Sequence, residues 1–292
     1  DYNDIVGDHP LNLLCTTLHL NAFMLTGEEK YKRWLLDYVD AWRRRMKENN
    51  DVIPSNIGLD GKIGSACGGR WYGGTYGWSF SPIVPQTGKR QDRNRTWWSF
   101  IGFMNAYLLT GDDDYLDAWR KQMDAINAHA KVIGGKKMYP RMHGDQGWYS
   151  YVAQPYRLNS HELYYLSMKR ADRRRTPTTP WLAYLEGDNP RYPEQALRAT
   201  LSQIRTAVAG MRSDRTTPDT RLSDDPMKFN PARVTNLIQL MLGGIHVQRR
   251  ASVLHCRLRY FDPLHRRAGL PSDVAALVDR LTDDEVGVTL VN

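Results

Sequence analysis

The 292 residues are 41% hydrophobic and 25% charged, an ordinary globular balance with enough apolar material for a large core in one domain or two. A formal net charge of +8 favours anionic partners, and the absence of any long apolar run leaves no candidate membrane-spanning helix. Three widely spaced cysteines, Cys15, Cys67 and Cys256, are neither a disulfide framework nor a metal-ligand set; Cys15 falls in an apolar helical run and is expected in the core.

The chain opens Asp1-Tyr2-Asn3, without Met, which is expected of a processed or trimmed product. The first marked group is Gly7-Asp8-His9-Pro10-Leu11-Asn12, ahead of the first helical run. His9 and Asn12 are placed to face a cleft; alternatively Asp8 is a helix N-cap with Pro10 in the first turn. Two helical hairpins then repeat one another. Leu18 to Leu25 is apolar nearly all round and stops at Thr26-Gly27; an acidic start at Glu28-Glu29 opens an amphipathic run through Trp34, Tyr38 and Trp42. Ile101 to Leu109 stops at Thr110-Gly111; Asp112-Asp113-Asp114 opens a run through Trp119 and Met123. The first helix of each pair is expected to be buried and the second to face solvent on one side. Arginine clusters at 43–45, 173–175 and 249–250 read as solvated surface.

A weaker copy follows, with one helix from Ser160 to Arg173, a turn near Gly187 and a helix from Pro193 to about Arg212. A further inner helix is expected from Pro231 to Gly243. The repeat of about 80 residues is far longer than the ~34 to ~47 of common helical solenoids. The excess lies in long connections, 51–95, 131–159 and 213–230, opposite the short Thr-Gly turns. They are rich in aromatics, which argues for order and function. Antiparallel packing gathers them on one face as an aromatic, partly basic cleft. After Gly243, Leu254 to Tyr260 reads as a strand, 263–268 as a turn, Asp273 to Leu281 as a short helix and Val286 to Val291 as a strand. Residues 1–244 are thus expected to form an α/α-toroid domain. Residues 245–292 are expected to start a β-containing region cut short at the chain end.

Within the long loops, Gly68 to Trp78 carries Arg70, Trp71, Tyr72, Tyr76 and Trp78 among five glycines, with Asn56 just upstream. Glycines allow close approach, aromatic rings offer flat faces and an arginine fork fits a carboxylate. Trp97-Trp98 are either sugar platforms or core. The second loop carries Arg141, His143, Asp145, Trp148 and Tyr149, where His143 and Tyr149 are candidate proton carriers and Asp145 a candidate acid or base. His161 opens the third inner helix as His9 precedes the first. His19, His129, His246, His255 and His265 read as structural. There is no phosphate loop, HExxH or G-x-S-x-G motif, no nucleic-acid motif, and no cofactor or metal set.

The hairpin repeats, Thr-Gly turns and aromatic loops over about 8–243 resemble the (α/α)-toroid carbohydrate-active enzymes: polysaccharide lyases and unsaturated glucuronyl hydrolases. The resemblance is one of architecture and matches no single family's active-site signature. It implies a helical toroid followed by a β-sandwich, an acidic polysaccharide or oligosaccharide as partner, and a secreted or periplasmic location if the protein is a lyase. β-Elimination needs a group that neutralises the uronate carboxylate and a Tyr or His to move the proton. His143, Tyr76, Tyr149, His9 and Asn12 are the candidate catalytic residues. Arg70, Trp71, Tyr72, Trp78, Asn56, Arg141, Trp148, His161 and Asp145 are the candidate substrate-binding residues. A hydrolase needs paired carboxylates, and the cleft offers fewer, chiefly Asp60, Asp92 and Asp145. A lyase is therefore expected, with a glycoside hydrolase of the same fold, or a glycan-binding protein without catalysis, as alternatives.

Overall fold

A computed structural model describes residues 6–217, 219–220, 230–244 and 253–292. His246, the 249–250 arginine pair, most of the 221–230 stretch and Asp1 to Asn3 lie outside the described residues. Contacts divide the chain into two compact units, Asp1–Thr176 with Gln248–Val253, and Pro177–Val247 with Leu254–Asn292. The first is mainly helical with small antiparallel sheets; the second combines helices with the β-rich C-terminal part.

The first unit contains both repeats: α1 (Thr16–Thr26) with α2 (Glu29–Glu48), and α3 (Phe100–Thr110) with α4 (Asp114–Ala128). The two turns match atom for atom. Gly27 and Gly111 adopt φ of 71° and 70°, and their N–H groups donate to Phe23 O and Tyr107 O. Each preceding threonine, Thr26 and Thr110, donates its hydroxyl to the carbonyl four residues back and accepts the N–H two residues on. Thr-Gly is therefore a complete stop: glycine supplies the left-handed backbone, and threonine satisfies groups a helix end leaves open. Leu35, Val39, Trp42, Phe100, Phe103 and Trp119 form the core between the hairpins. Asn105 of α3 donates to the hydroxyls of Thr16 and Thr17 in α1, at 2.8 and 2.9 Å. Gly102 lets the 3₁₀ segment Pro10–Cys15 approach, since a Cβ there would sit 2.6 Å from the Leu13 side chain.

Three expectations need correction here. Helix α1 is not buried all round: it packs on α2 and α3, and Leu18, Met24 and Leu25 on its remaining surface are exposed. Cys15 is exposed, because it is the two threonines after it that turn inward to meet Asn105. The helix expected over 160–173 is two, α5 (Ser160–Ser167) and α6 (Arg170–Arg175), broken where Met168 takes a left-handed φ of 51°.

The loops of this unit are held by hairpins: β1 (Ile83–Val84) with β2 (Lys89–Arg90), β3 (Lys131–Ile133) with β4 (Lys136–Met138), and β5 (Met142–Gly144) with β6 (Gly147–Tyr149). An isolated bridge between Tyr139 and Val152 ties the second of these loops across its base.

The second unit has α7 (Pro180–Leu185), α8 (Tyr192–Ser213), α9 (Thr235–Leu242) and the hairpins β7 (Phe261–Asp262) with β8 (Arg267–Ala268), and β9 (Ala275–Leu281) with β10 (Val286–Val291). Its core is Trp181, Ala196, Leu240 and Val278. The expected strand at Leu254–Tyr260 is irregular backbone. Arg257 and Leu258 donate instead to Leu242 O, capping the open C-terminus of α9. The expected helix at Asp273–Leu281 is β9, which pairs along its length with β10 through a bulge at Gly287/Val288. Its alanines and leucines favour helix weakly, and the partner strand overrides that preference. The helices after residue 177 thus share their core with these strands, and the contact division falls at 176/177.

Candidate functional site

A pocket of about 620 Å³ in the first unit is lined by Arg70, Tyr72, Gly73, Ser79, Arg90, Asp145, Trp148 and Tyr149 with neighbouring loop backbone. Its walls come from the two long loops. In the first, Trp78 is the anchor: fully buried, it donates its indole N–H to Ile53 O at 2.7 Å and its backbone N–H to Ser55 Oγ at 2.8 Å. Gly77 allows this approach, since a Cβ there would lie 2.5 Å from the Ser55 side chain. In the second loop, β5 and β6 form a tight hairpin around Asp145-Gln146, closed by Gly147 at φ 86°. His143 N–H donates to Trp78 O at 3.1 Å, which fastens the hairpin to the first wall.

Two phenols face this space in different company. Tyr72 donates to Asp145 Oδ1 at 2.7 Å. The carboxylate, more than the opposing Arg70 charge, raises the Tyr72 phenol above its ordinary range and keeps it protonated. Tyr149 has a cation beside it: Arg90 Nη2 lies 3.4 Å from its oxygen, with the guanidinium 5.2 Å from the ring centre. The same phenol oxygen is 2.9 Å from Ser81 Oγ, and Ser81 donates to Asp92 Oδ1 at 2.6 Å. Ser150 donates to the other Asp92 oxygen. Arg70 is steadied by a bond from Nε to Cys67 O at 3.0 Å.

Of the residues singled out in the sequence, the pocket brings together Arg70, Tyr72, Asp145, Trp148 and Tyr149. His143 sits behind its lining, its ring 4.6 to 5.0 Å from those of Trp71, Tyr72 and Trp148. Burial among these rings, then the nearby His129, depresses it to about 4, so it is a neutral, weakly basic imidazole at pH 7. Among the described residues its Nδ1 has no partner. Trp71 also packs behind the lining, against Trp78 and Trp148.

Other residues lie elsewhere. Asn56 is buried and donates to Val6 O. Arg141 is spent on the carbonyls of Pro140, Gln154 and Pro155 and stacks over Tyr156. Tyr76 is exposed at φ 60° against Phe80. His161 begins α5, half-buried and outside the lining. His9, and not Asp8, caps the 3₁₀ segment, accepting from Leu11 N at 3.3 Å. Asp8 instead gathers Asn12, at 2.8 Å, and the Tyr38 hydroxyl. Arg90, Ser79 and Ser81 were not singled out from the sequence. The signal for Arg90 was Pro85-Gln86-Thr87-Gly88, turn chemistry that folds β2 back toward the pocket.

Among the described residues, no three His, Cys, Asp or Glu side chains gather into a metal site, and no helix is long and apolar enough to cross a membrane.

The buried histidine gives a pH prediction. A histidine whose folded pKa lies below the unfolded 6.5 binds its proton more readily once unfolded. Its contribution to stability is complete above about 6.5 and is lost as pH falls toward about 4. Urea midpoints should fall across that window and fall less in His143→Phe; equal slopes in both proteins would remove His143 as the cause.

A family model described as Domain of unknown function (DUF8034) matches residues 4–141 and 175–238. The matched stretch includes the Arg70–Asp92 wall of the pocket and stops before the β5–β6 hairpin. No curated protein and no solved structure matches the chain.

Proposed function

The chain belongs to the DUF8034 family, a domain of unknown function, and we propose that it is a carbohydrate-active enzyme that cleaves a uronate-containing glycan by β-elimination in this pocket. One observation carries the reading: Arg70 and Arg90 line the same space as two phenols in contrasting surroundings and the Trp148 ring. Guanidinium groups hold a carboxylate by charged, often bidentate hydrogen bonds, and an indole offers a flat face to a sugar ring. A uronate held this way has its carboxylate neutralised. The proton on the adjacent carbon becomes more acidic, and the developing enolate is stabilised where its charge appears. Tyr149 is the group to take that proton and return it to the leaving oxygen on the same face. Tyr72, kept protonated with its one hydrogen committed to Asp145, orients the sugar by accepting from a sugar hydroxyl. His143, behind the lining and weakly basic, supports the aromatic wall instead of moving the proton. The repeated hairpins with their Thr-Gly turns support an α/α-toroid as the architecture that presents the loops.

A glycoside hydrolase is the second reading, favoured by Asp145 in the pocket and Asp92 one hydroxyl away. It is weaker because both Asp92 oxygens accept serine hydroxyls and Asp145 accepts Tyr72. A glycan-binding protein without catalysis is the third.

The test is incubation with a panel of acidic polysaccharides, followed by the ultraviolet absorbance of an unsaturated uronate. Reducing ends without that absorbance would favour the hydrolase, and affinity without product the binder. Arg70→Ala should weaken binding by roughly 10- to 100-fold, as expected for lost hydrogen bonds to a charged group of about 1.5–3 kcal/mol. It should also flatten the salt dependence of binding. Unchanged affinity and salt dependence would leave Arg70 as plain surface charge.

A further inference from the structure

On the elimination reading, we infer that Ser81 and Asp92 form a proton relay behind Tyr149, with Asp92 holding the Ser81 proton and Ser81 the phenol proton while Tyr149 holds the proton taken from the sugar. The direction of the chain of hydrogen bonds follows from its two ends. An ionised carboxylate only accepts, so the single Ser81 hydrogen points to Asp92 Oδ1 at 2.6 Å. The Ser81 oxygen is then left to accept, and Tyr149, 2.9 Å away, donates to it. Arg90 can only donate, and its Nη2 lies 3.4 Å from the same phenol oxygen. Tyr149 thus has its hydrogen directed away from the pocket toward Ser81, and a cation beside its lone pairs. That is the arrangement a base needs.

A tyrosine acting alone at neutral pH is short of phenolate, since its reference pKa is about 10. The relay removes that requirement. As the bond between the α-carbon and its hydrogen breaks, the hydrogen passes to the Tyr149 oxygen. The phenol hydrogen moves to Ser81 Oγ, and the Ser81 hydrogen moves to Asp92. As the carbon–oxygen bond to the leaving sugar breaks, Tyr149 gives its newly gained proton to that oxygen and the relay runs back. The products are an unsaturated uronate and a free hydroxyl. All protein groups return to their starting state and no further reactant enters. Among the described residues, the charged and titratable side chains that line the pocket with Tyr149 are Arg90 from β2, Arg70, Tyr72 and Asp145. Ser150 holds the second Asp92 oxygen and fixes the carboxylate in place. Ser81 and Asp92 are positioning residues, since they act through Tyr149.

The test is the pH dependence of turnover on an acidic polysaccharide that the wild-type protein cleaves. Ser81→Ala should lower kcat by about 100-fold, the lower end of what a positioned proton transfer contributes, with KM little changed. Asp92→Asn should turn a flat rate between pH 6 and 8 into one climbing about tenfold per pH unit, because free phenolate must then form first. An ultraviolet difference titration of the tyrosines against Tyr149→Phe reads the phenol without turnover, and Ser81→Ala should move its midpoint. Wild-type kcat and a flat profile in both variants, with an unmoved midpoint, would overturn the relay and leave the elimination reading standing. No unsaturated product from the wild-type protein with any acidic glycan would remove that reading and the relay's chemistry with it.

Discussion

Tyr149→Phe should lower turnover by at least about 100-fold while the glycan still binds. A positioned acid–base group contributes about 10²- to 10⁴-fold, and in the proposed chemistry Tyr149 serves both proton transfers. The substitution removes one oxygen and keeps the ring, so the Arg90 guanidinium retains its aromatic face. Binding through Arg70 and Trp148 should therefore persist, and KM should move far less than kcat. The paired variant is Asp145→Asn. Under elimination it alters only the partner of Tyr72, and it should cost less than Tyr149→Phe. If Asp145→Asn abolishes turnover and Tyr149→Phe does not, the carboxylate is the working group and the hydrolase reading replaces the lyase. Single-turnover measurements with saturating enzyme check that the loss lies in chemistry and not in product release.

What was legible in the sequence is what depends on neighbouring residues. The Thr-Gly stops were readable because glycine and threonine each do a local job there, seen twice with the same hydrogen bonds. Both loops were readable as candidate walls because so many aromatic, arginine and glycine residues at no regular period are costly unless they build something. Less legible was which of those residues would face the pocket. Trp78 and Trp148 look alike in sequence; Trp78 is fully buried because its indole N–H finds Ile53 O, while Trp148 lines the pocket. Arg70 and Arg141 look alike too; Arg141 turns to three backbone carbonyls that its own loop leaves open. Such choices rest on contacts between residues far apart in the chain. The same holds for β9, whose alanine- and leucine-rich sequence is drawn into a strand by β10. Leu18 and Leu25 fail for the opposite reason: an apolar helix predicts burial, but the partners of α1 cover only part of it.

Arg120→Met should destabilise the first unit by about 3–5 kcal/mol, the usual cost of leaving a buried charge without its partner. Arg120 of α4 donates from Nε and Nη2 to Asp172 of α6, at 2.8 to 3.1 Å, and from Nη1 and Nη2 to Asp113, at 2.7 and 3.0 Å. Asp172 is fully buried and also accepts from Ser167 at 2.6 Å. Take away the guanidinium and the Asp172 carboxylate stays in the interior with its main counter-charge gone. For a unit of this size, about 2–4 °C of melting temperature per kcal/mol gives a fall of roughly 6–20 °C. Lys169, which reaches the same Asp113 from a half-exposed position, is the control. Lys169→Ala should cost no more than about 1 kcal/mol, because solvent screens an exposed pair. Replacing both charges, Arg120→Met with Asp172→Leu, should recover much of the loss, since two apolar side chains leave no orphan charge. None of these residues lines the pocket, so kcat and KM measured well below the transition should stay at wild-type values. Thermal unfolding followed by circular dichroism decides it. An Arg120→Met transition within about 1 kcal/mol of wild type would mean that water reaches Asp172 and that the network does not hold α6 to α4.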